Sequence, residues 1–416
     1  MQQKEKIKSN PFWYAWMGIL SILILFGVVC GLSVFFKGLS VTNLTDRVPW
    51  GLWITIDLSS IAISAGAFSL CALVYILGLK KYQPVARTAT FIGLIGYTMA
   101  LLALLLDIGK PERFWHAMVY WNKHSLLWEV TMCVTLYLGV LIFECIPIFA
   151  QFKWLKTRYP RLAEKMHGFH RFAPSLAIIG LCLSLLHQSS LGALYGVLKA
   201  RPFWFRPDIS ILFIISAVAA GISLTVFLSM LSGRISKRVI IDDGILERLS
   251  YFIGWILVVY LYLRFWDALS MTYTYEPGRS EGLNLLINGP LSFNFWFGEI
   301  ILGLVFPIII LLRKKTRELP FWRMLALLLV VGGMVAYRWD TNLSGLIIVM
   351  SYLPGNLTVG YSSYVPSWIE VFSGLGILSY GALGFSLGVK YLSVINHEKQ
   401  RVFSLKSKVM EPMSAD

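Results

Sequence analysis

Long apolar runs separated by short polar connections dominate this 416-residue chain. A helix needs about twenty apolar residues to cross the hydrocarbon of a bilayer. Segments of that length lie near 14–36, 53–79, 88–108, 126–149, 172–190, 209–231, 249–271, 292–312, 321–340 and 368–392. The pattern predicts an all-α integral membrane protein of about ten transmembrane helices. Lys4, Lys6 and Lys8 precede the first run, which is too long for a signal-peptide core and has no small-x-small cleavage site, so it reads as a retained helix. The expected organisation is a cytoplasmic tail over 1–13, a polytopic membrane domain over 14–392 and a cytoplasmic tail over 393–416.

Composition agrees with the pattern. The protein is 57% hydrophobic and 14% charged, with a mean hydropathy of +0.68. Its net charge of +15 forms no continuous basic stripe, which argues for membrane topology and against nucleic acid. With the N-terminus placed inside, the inner connections and tails, counted together with Lys390 at the inner end of the last span, carry 26 Lys and Arg and the outer ones 9. Both termini are therefore expected in the cytoplasm, in a multi-pass protein of the bacterial inner membrane. The outer connections around 48–53, 109–125, 199–208 and 343–368 are rich in Trp, Tyr, Phe and Pro, which suits folded elements at the interface or docking of another protein.

Ionisable groups inside spans are costly and are functional candidates by default. The topology puts Asp57, Asp107, Glu129, His187, Arg264, Asp267, Glu299, Arg338, Asp340 and Glu370 in one layer, the outer half, with Glu144 as the main exception. A polar site opening on one side gathers charges in this way. Arg264 and Asp267, three apart, share a helix face and either pair locally or flank a common cavity. Glu129 stands in SLLWEVTMCVTLYLGV with few local partners, as suits a proton carrier.

Histidine placement bears on the cofactor. His116 and His124 fall on an outer loop, His167 and His170 on an inner one and His397 in the tail, so His187 alone belongs to a helix. A b-type haem needs axial ligands within the bundle, so no haem is expected. His167 and His170 lack nearby Cys or acidic ligands, and no metal site is expected. Cys30, Cys71, Cys133, Cys145 and Cys182 form no CxxC pattern, which predicts neither an iron–sulfur cluster nor covalent haem in this protein. Protonatable groups and an arginine without a resident redox centre fit a quinone best: it diffuses in the bilayer, accepts hydrogen bonds at its carbonyls and needs protons on reduction. Electrons then pass to or from a partner protein at the outer face.

The stretches VPWGLWITIDLSSIAISAGAFSL, LLDIGKPERFWH, HSLLWEVTMCVTLYLGVLIFE, LLHQSSLG, LYLRFWD and YVPSWIEVF resemble, in that order, the NrfD-like family of polysulfide-reductase-type membrane subunits. The likeness is to its ten-helix branch, with the HybB-type subunits of periplasmic [NiFe] hydrogenases and related subunits of sulfate-respiration and alternative complex III assemblies. It implies a haem-free component of an oxidoreductase complex. Two four-helix bundles, helices two to five and six to nine, would be flanked by peripheral helices one and ten. It implies a site for menaquinone or ubiquinone near the outer face, beneath a ferredoxin-like iron–sulfur subunit at the periplasmic side that connects to a catalytic or multihaem cytochrome subunit. By motif, His187, Asp57 and Trp50 would line the quinone pocket, and Glu129 and Asp107 would exchange protons. Arg264 and Asp267 are added to the pocket from the charge pattern.

Two rivals stand beside this reading. A secondary transporter would place its site at the midplane beside broken helices, whereas these charges crowd one side. A passive anchor of a redox enzyme would leave Glu129 and the one-sided layer without explanation.

Overall fold

The computed structural model describes residues 11–236, 241–353, 356–392 and 394. Lys4, Lys6, Lys8, His397 and nearly all of the expected C-terminal tail lie outside them. Among the described residues, ten helices are long and apolar enough to span a membrane: α1 (Pro11–Lys37), α2 (Leu52–Cys71), α3 (Gln83–Asp107), α4 (Leu126–Phe149), α5 (Ala173–Gly196), α6 (Asp208–Ser236), α7 (Asp243–Thr274), α8 (Asn294–Leu312), α9 (Pro320–Ile347) and α10 (Trp368–Tyr391). Long helices are the form in which a polypeptide satisfies its own backbone polar groups in lipid. This is a multi-pass, all-α integral membrane protein. One β-hairpin, β1 (Ile348–Leu353) paired antiparallel with β2 (Asn356–Tyr361), interrupts the last long connection, with Ile348 opposite Tyr361.

The helices close into two four-membered rings. In the first, α2 packs on α3, α3 on α4, α4 on α5 and α5 on α2; in the second, α6, α7, α8 and α9 do the same. The rings meet along α2 and α6, where Gly66 and Gly221 face each other so closely that a Cβ on either would collide with the other's backbone. Small residues of this kind let membrane helices approach and gain van der Waals contact. Outside the rings, α1 pairs with α10 across Gly27 and Gly376, and α10 rests on α3.

Several helices run past the ends expected from hydropathy, and two of the extensions, on α5 and α9, bear on the site. Helix α5 continues to Gly196 instead of stopping at 190, and α9 continues to Ile347 instead of 340. Both extensions are buried against protein, at Leu191, Gly192 and Tyr195 and at Thr341 to Ile347, so they need no lipid-grade hydropathy. His187 and Arg338 consequently lie well inside their helices. Helix α8 is π-helical over Asn294–Val305, a wider coil that often marks functional sites.

Connections at the hairpin end of the bundle are knitted into a roof. Arg201 Nη1 donates to the carbonyls of Gly345, Leu346 and Ile348, Arg279 donates to those of Pro202 and Phe205, and Asn43 Nδ2 donates to Val365 O. At the opposite end, the connection between α4 and α5 carries two short helices, Lys153–Arg158 and Pro160–Gly168, with basic residues on both.

Candidate functional site

Helix α5 carries the sequence LCLSLLHQSSLG, and its polar face turns inward. His187 is fully buried; its Nδ1 is hydrogen-bonded to the Tyr97 hydroxyl on α3, while its Nε2 has no partner. The Tyr97 ring packs on Tyr137 of α4 at 4.4 Å between centroids, and Tyr137 packs on Phe68 of α2 at 4.5 Å. One residue on, Gln188 Nε2 donates to Ile61 O at 3.1 Å, leaving its Oε1 free. Ser190 Oγ donates to Glu129 Oε1 at 2.8 Å, tying α5 to α4. Ser189 bonds back to Leu186 O within its own helix, and its carbonyl accepts from Ser210 Oγ at 3.0 Å.

Asp57 lies on α2 one helical turn before Ile61, so the two share a face. It is 3% exposed, and its Oδ1 has no partner. Its carboxylate is in electrostatic contact with Asp107, Tyr97 and Tyr195. Asp107, the last residue of α3, also has a free buried oxygen and interacts electrostatically with Glu370. Above them, Trp50 packs on Tyr195 and Trp204 at 5.7 and 5.9 Å. Asn342 Nδ2 donates to Trp50 O at 2.9 Å, and Tyr195 Oη donates to Asn342 Oδ1 at 3.1 Å. His187, Gln188, Asp57, Asp107, Glu129 and Trp50 are thus gathered at the hairpin end of the first ring. The unsatisfied polar atoms on His187, Gln188 and Asp57 are costly in an apolar interior unless a ligand or water meets them.

Arg264 and Asp267 lie elsewhere, in the second ring, inside a closed network. Arg264 makes a two-pronged contact with Glu299, Nε to Oε1 at 2.7 Å and Nη2 to Oε2 at 3.3 Å, and its Nη1 meets Asp267 Oδ2 at 2.6 Å. Arg206, from the connection before α6, meets the other Asp267 oxygen at 2.6 Å. Two cations and two anions, all at most 6% exposed, neutralise one another. Of the two alternatives for the Arg264 and Asp267 pair, the geometry is that of pairing, extended by two residues.

Glu370 closes the N-terminus of α10. It accepts from the backbone of Ser367 at 2.8 Å and of Asn43 at 3.1 Å, and from the Tyr364 hydroxyl. Burial, then the bond to Glu370, pushes the Tyr364 hydroxyl up, so it stays a donor. Arg338 is the opposite case. Fully buried, it stacks over the Phe213 ring at 3.5 Å and donates from Nη2 to Phe213 O and Ser216 Oγ, yet its Nε and Nη1 are free and no carboxylate pairs with it among the described residues.

Glu144 sits seven residues after Tyr137 on the same face of α4, towards the basic end. One carboxylate oxygen is free, and the group interacts electrostatically with Tyr137, Tyr75, Cys71 and Cys145. Reading the sequence missed Tyr97, Tyr137, Tyr195, Arg206 and Asn342. The tyrosines look like ordinary apolar positions in a run, and Arg206 lies in a loop where a cation is unremarkable.

The family described as Polysulphide reductase, NrfD matches residues 40–349. The integral membrane subunit of menaquinone reductase from Nitratidesulfovibrio vulgaris is 32% identical over 394 residues, covering 92% of this protein and 92% of its own length. The Hdr-like menaquinol oxidoreductase integral membrane subunit of Archaeoglobus fulgidus is 27% identical over 94% of this protein and 96% of its own length. The probable Ni/Fe-hydrogenase 2 b-type cytochrome subunit of Escherichia coli is 26% identical over 92% of this protein and 91% of its own length. These relatives are membrane subunits of redox complexes, and on the match over most of its length this protein belongs to the polysulphide reductase NrfD family.

Proposed function

We propose that this protein is the quinone-reactive membrane subunit of a multisubunit respiratory oxidoreductase in a bacterial inner membrane, with both termini in the cytoplasm. The observation that carries the reading is the buried Nε2 of His187, which has no partner among the described residues, on a helix face whose next residue, Gln188, also keeps a free buried oxygen. In the tautomer in which Nδ1 accepts from the Tyr97 hydroxyl, Nε2 holds the ring proton and offers it to a carbonyl, the group a quinone presents. Trp50, packed on Tyr195 and Trp204, forms the aromatic wall on the hairpin side.

Reduction of one quinone takes two electrons and two protons; oxidation of the quinol releases them. Glu129, held by Ser190 three residues from His187, and Asp107, which interacts electrostatically with Asp57, exchange those protons. Glu144, Tyr137 and Tyr97 add titratable or hydroxyl groups between the basic end and His187. The seven residues from Tyr137 to Glu144 span about 10 Å at the usual helical rise, a gap that water would fill.

Electrons come from or go to an iron–sulfur partner seated at the hairpin end, itself linked to a catalytic or multihaem subunit. Phe114, Trp115, Tyr120 and Trp121 are all exposed on that face and suit such a contact. Haem does not suit the donor set among the described residues: the other histidines there, His116, His124, His167 and His170, lie outside the long helices or on their approach and do not face the Nε2 of His187.

Glu129→Gln is the direct test. The assembled complex should lose quinone-linked electron transfer while retaining electron exchange between its other subunits. Full activity in that variant would refute the proton role.

A further inference from the structure

Helices α1 and α3 enclose an apolar groove of about 180 Å³, lined by Val28, Gly31 and Phe35 on one side and Leu105, Leu106 and Gly109 on the other. It exists because α1 is held chiefly by α10, through the Gly27–Gly376 crossing, and touches α3 only lightly. Gly31 keeps the wall open, since a Cβ there would press on Leu106 Cδ2 at 3.3 Å, and Gly109 turns the backbone at φ +73° to close the end. Val28, Leu105 and Phe35 are between 41% and 52% exposed, so the groove opens to the hydrocarbon.

Leu106 and Gly109, which line the groove, flank Asp107 in sequence at the end of α3, and one Asp107 carboxylate oxygen is buried with no partner among the described residues. An occupant must therefore be hydrocarbon along its length and polar at the end beside Asp107. We infer that this groove is the binding site for the isoprenoid tail of the quinone, which enters from the bilayer between α1 and α3 with its ring leading towards Asp107, Asp57 and His187. The inference rests on the quinone reading above. A phospholipid acyl tail is the other occupant of matching shape, with Lys37 and Lys110 near the rim for its phosphate. Asp107, between the lining residues Leu106 and Gly109, is a carboxylate, which repels a phosphate and leaves a neutral carbonyl undisturbed.

The test uses the intact complex, with binding followed by quenching of tryptophan fluorescence. The probes are a naphthoquinone bearing a four-isoprene tail and the same ring bearing only a methyl. The parent complex should bind the tailed quinone more tightly. Val28→Phe, which fills the groove from a lipid-facing position, and Gly31→Leu, which fills it from the wall, should each weaken the tailed quinone about tenfold, a loss of about two buried methylenes. Binding of the methyl quinone should not change. Unchanged binding of both quinones in Val28→Phe, as a groove occupied by a phospholipid would give, overturns the tail site alone. Equal weakening of both also overturns it, because the ring site has then been disturbed. If the parent binds neither quinone, the functional reading falls and the groove assignment falls with it.

Discussion

Ser190 Oγ donates a 2.8 Å hydrogen bond to Glu129 Oε1, joining the helix that carries His187 to the helix that carries the candidate proton carrier. A hydrogen bond to a charged acceptor contributes roughly 1.5–3 kcal/mol. Ser190→Ala should therefore slow quinone-linked electron transfer by about tenfold, with the complex still assembled. Ser190→Thr keeps the hydroxyl and should restore most of the rate. A rate in Ser190→Ala equal to the parent's would show that the contact does not position Glu129 for the reaction.

The seam between the rings is expected to be unforgiving. A Cβ at Gly66 collides with the Gly221 backbone, so Gly66→Val must push α2 away from α6. Overpacking of this sort costs about 1–3 kcal/mol. Thermal unfolding of the purified protein should show a lower Tm for Gly66→Val, whereas Gly332→Val, at a glycine with nothing within 4 Å, should leave it near the parent value.

The Arg206, Asp267, Arg264 and Glu299 network should behave as a set of buried pairs. Glu299→Gln strips the two-pronged partner from Arg264 and leaves a buried charge underpaired, at a cost of about 3–5 kcal/mol. Arg264→Met combined with Glu299→Met removes one charge of each sign and leaves Arg206 with Asp267. The double variant should melt above the single one. The reverse order would mean that Arg264 is not buried as an ion pair.

Topology can be checked with engineered cysteines and a membrane-impermeant maleimide added to intact cells with permeabilised outer membranes. Ser363→Cys, exposed beyond the hairpin, should label, and Lys156→Cys, exposed at the basic end, should not. Labelling at Lys156→Cys alone would invert the orientation drawn from the Lys and Arg asymmetry.

The helices were legible in the sequence because membrane spanning demands long apolar runs, and all ten expected segments carry a helix. Their ends were legible only where the helix meets lipid or water. At α5 and α9 the final turns are buried by protein, and polar residues such as Asn342 continue the helix because Trp50 and Tyr195 satisfy them. The candidate site shows the same division. His187, Asp57, Asp107 and Glu129 announce themselves as polar residues in apolar runs. Tyr97 and Tyr137 do not, because a tyrosine in a span is unremarkable until the Tyr97 hydroxyl is placed against His187 and the Tyr137 ring is packed on Tyr97. The Arg264 and Asp267 spacing pointed to a shared face, but the partners that close the network, Arg206 and Glu299, are 61 and 35 residues away in sequence.

The central claim is that His187 meets the quinone. The measurement is electron transfer between the intact complex and a membrane quinone in His187→Ala, with assembly confirmed by copurification of the partner subunits. The account predicts a loss of about a hundredfold or more, from a lost hydrogen bond and a misplaced ring, together with weakened quinone binding. An assembled His187→Ala complex that transfers electrons to quinone at the parent rate would contradict it.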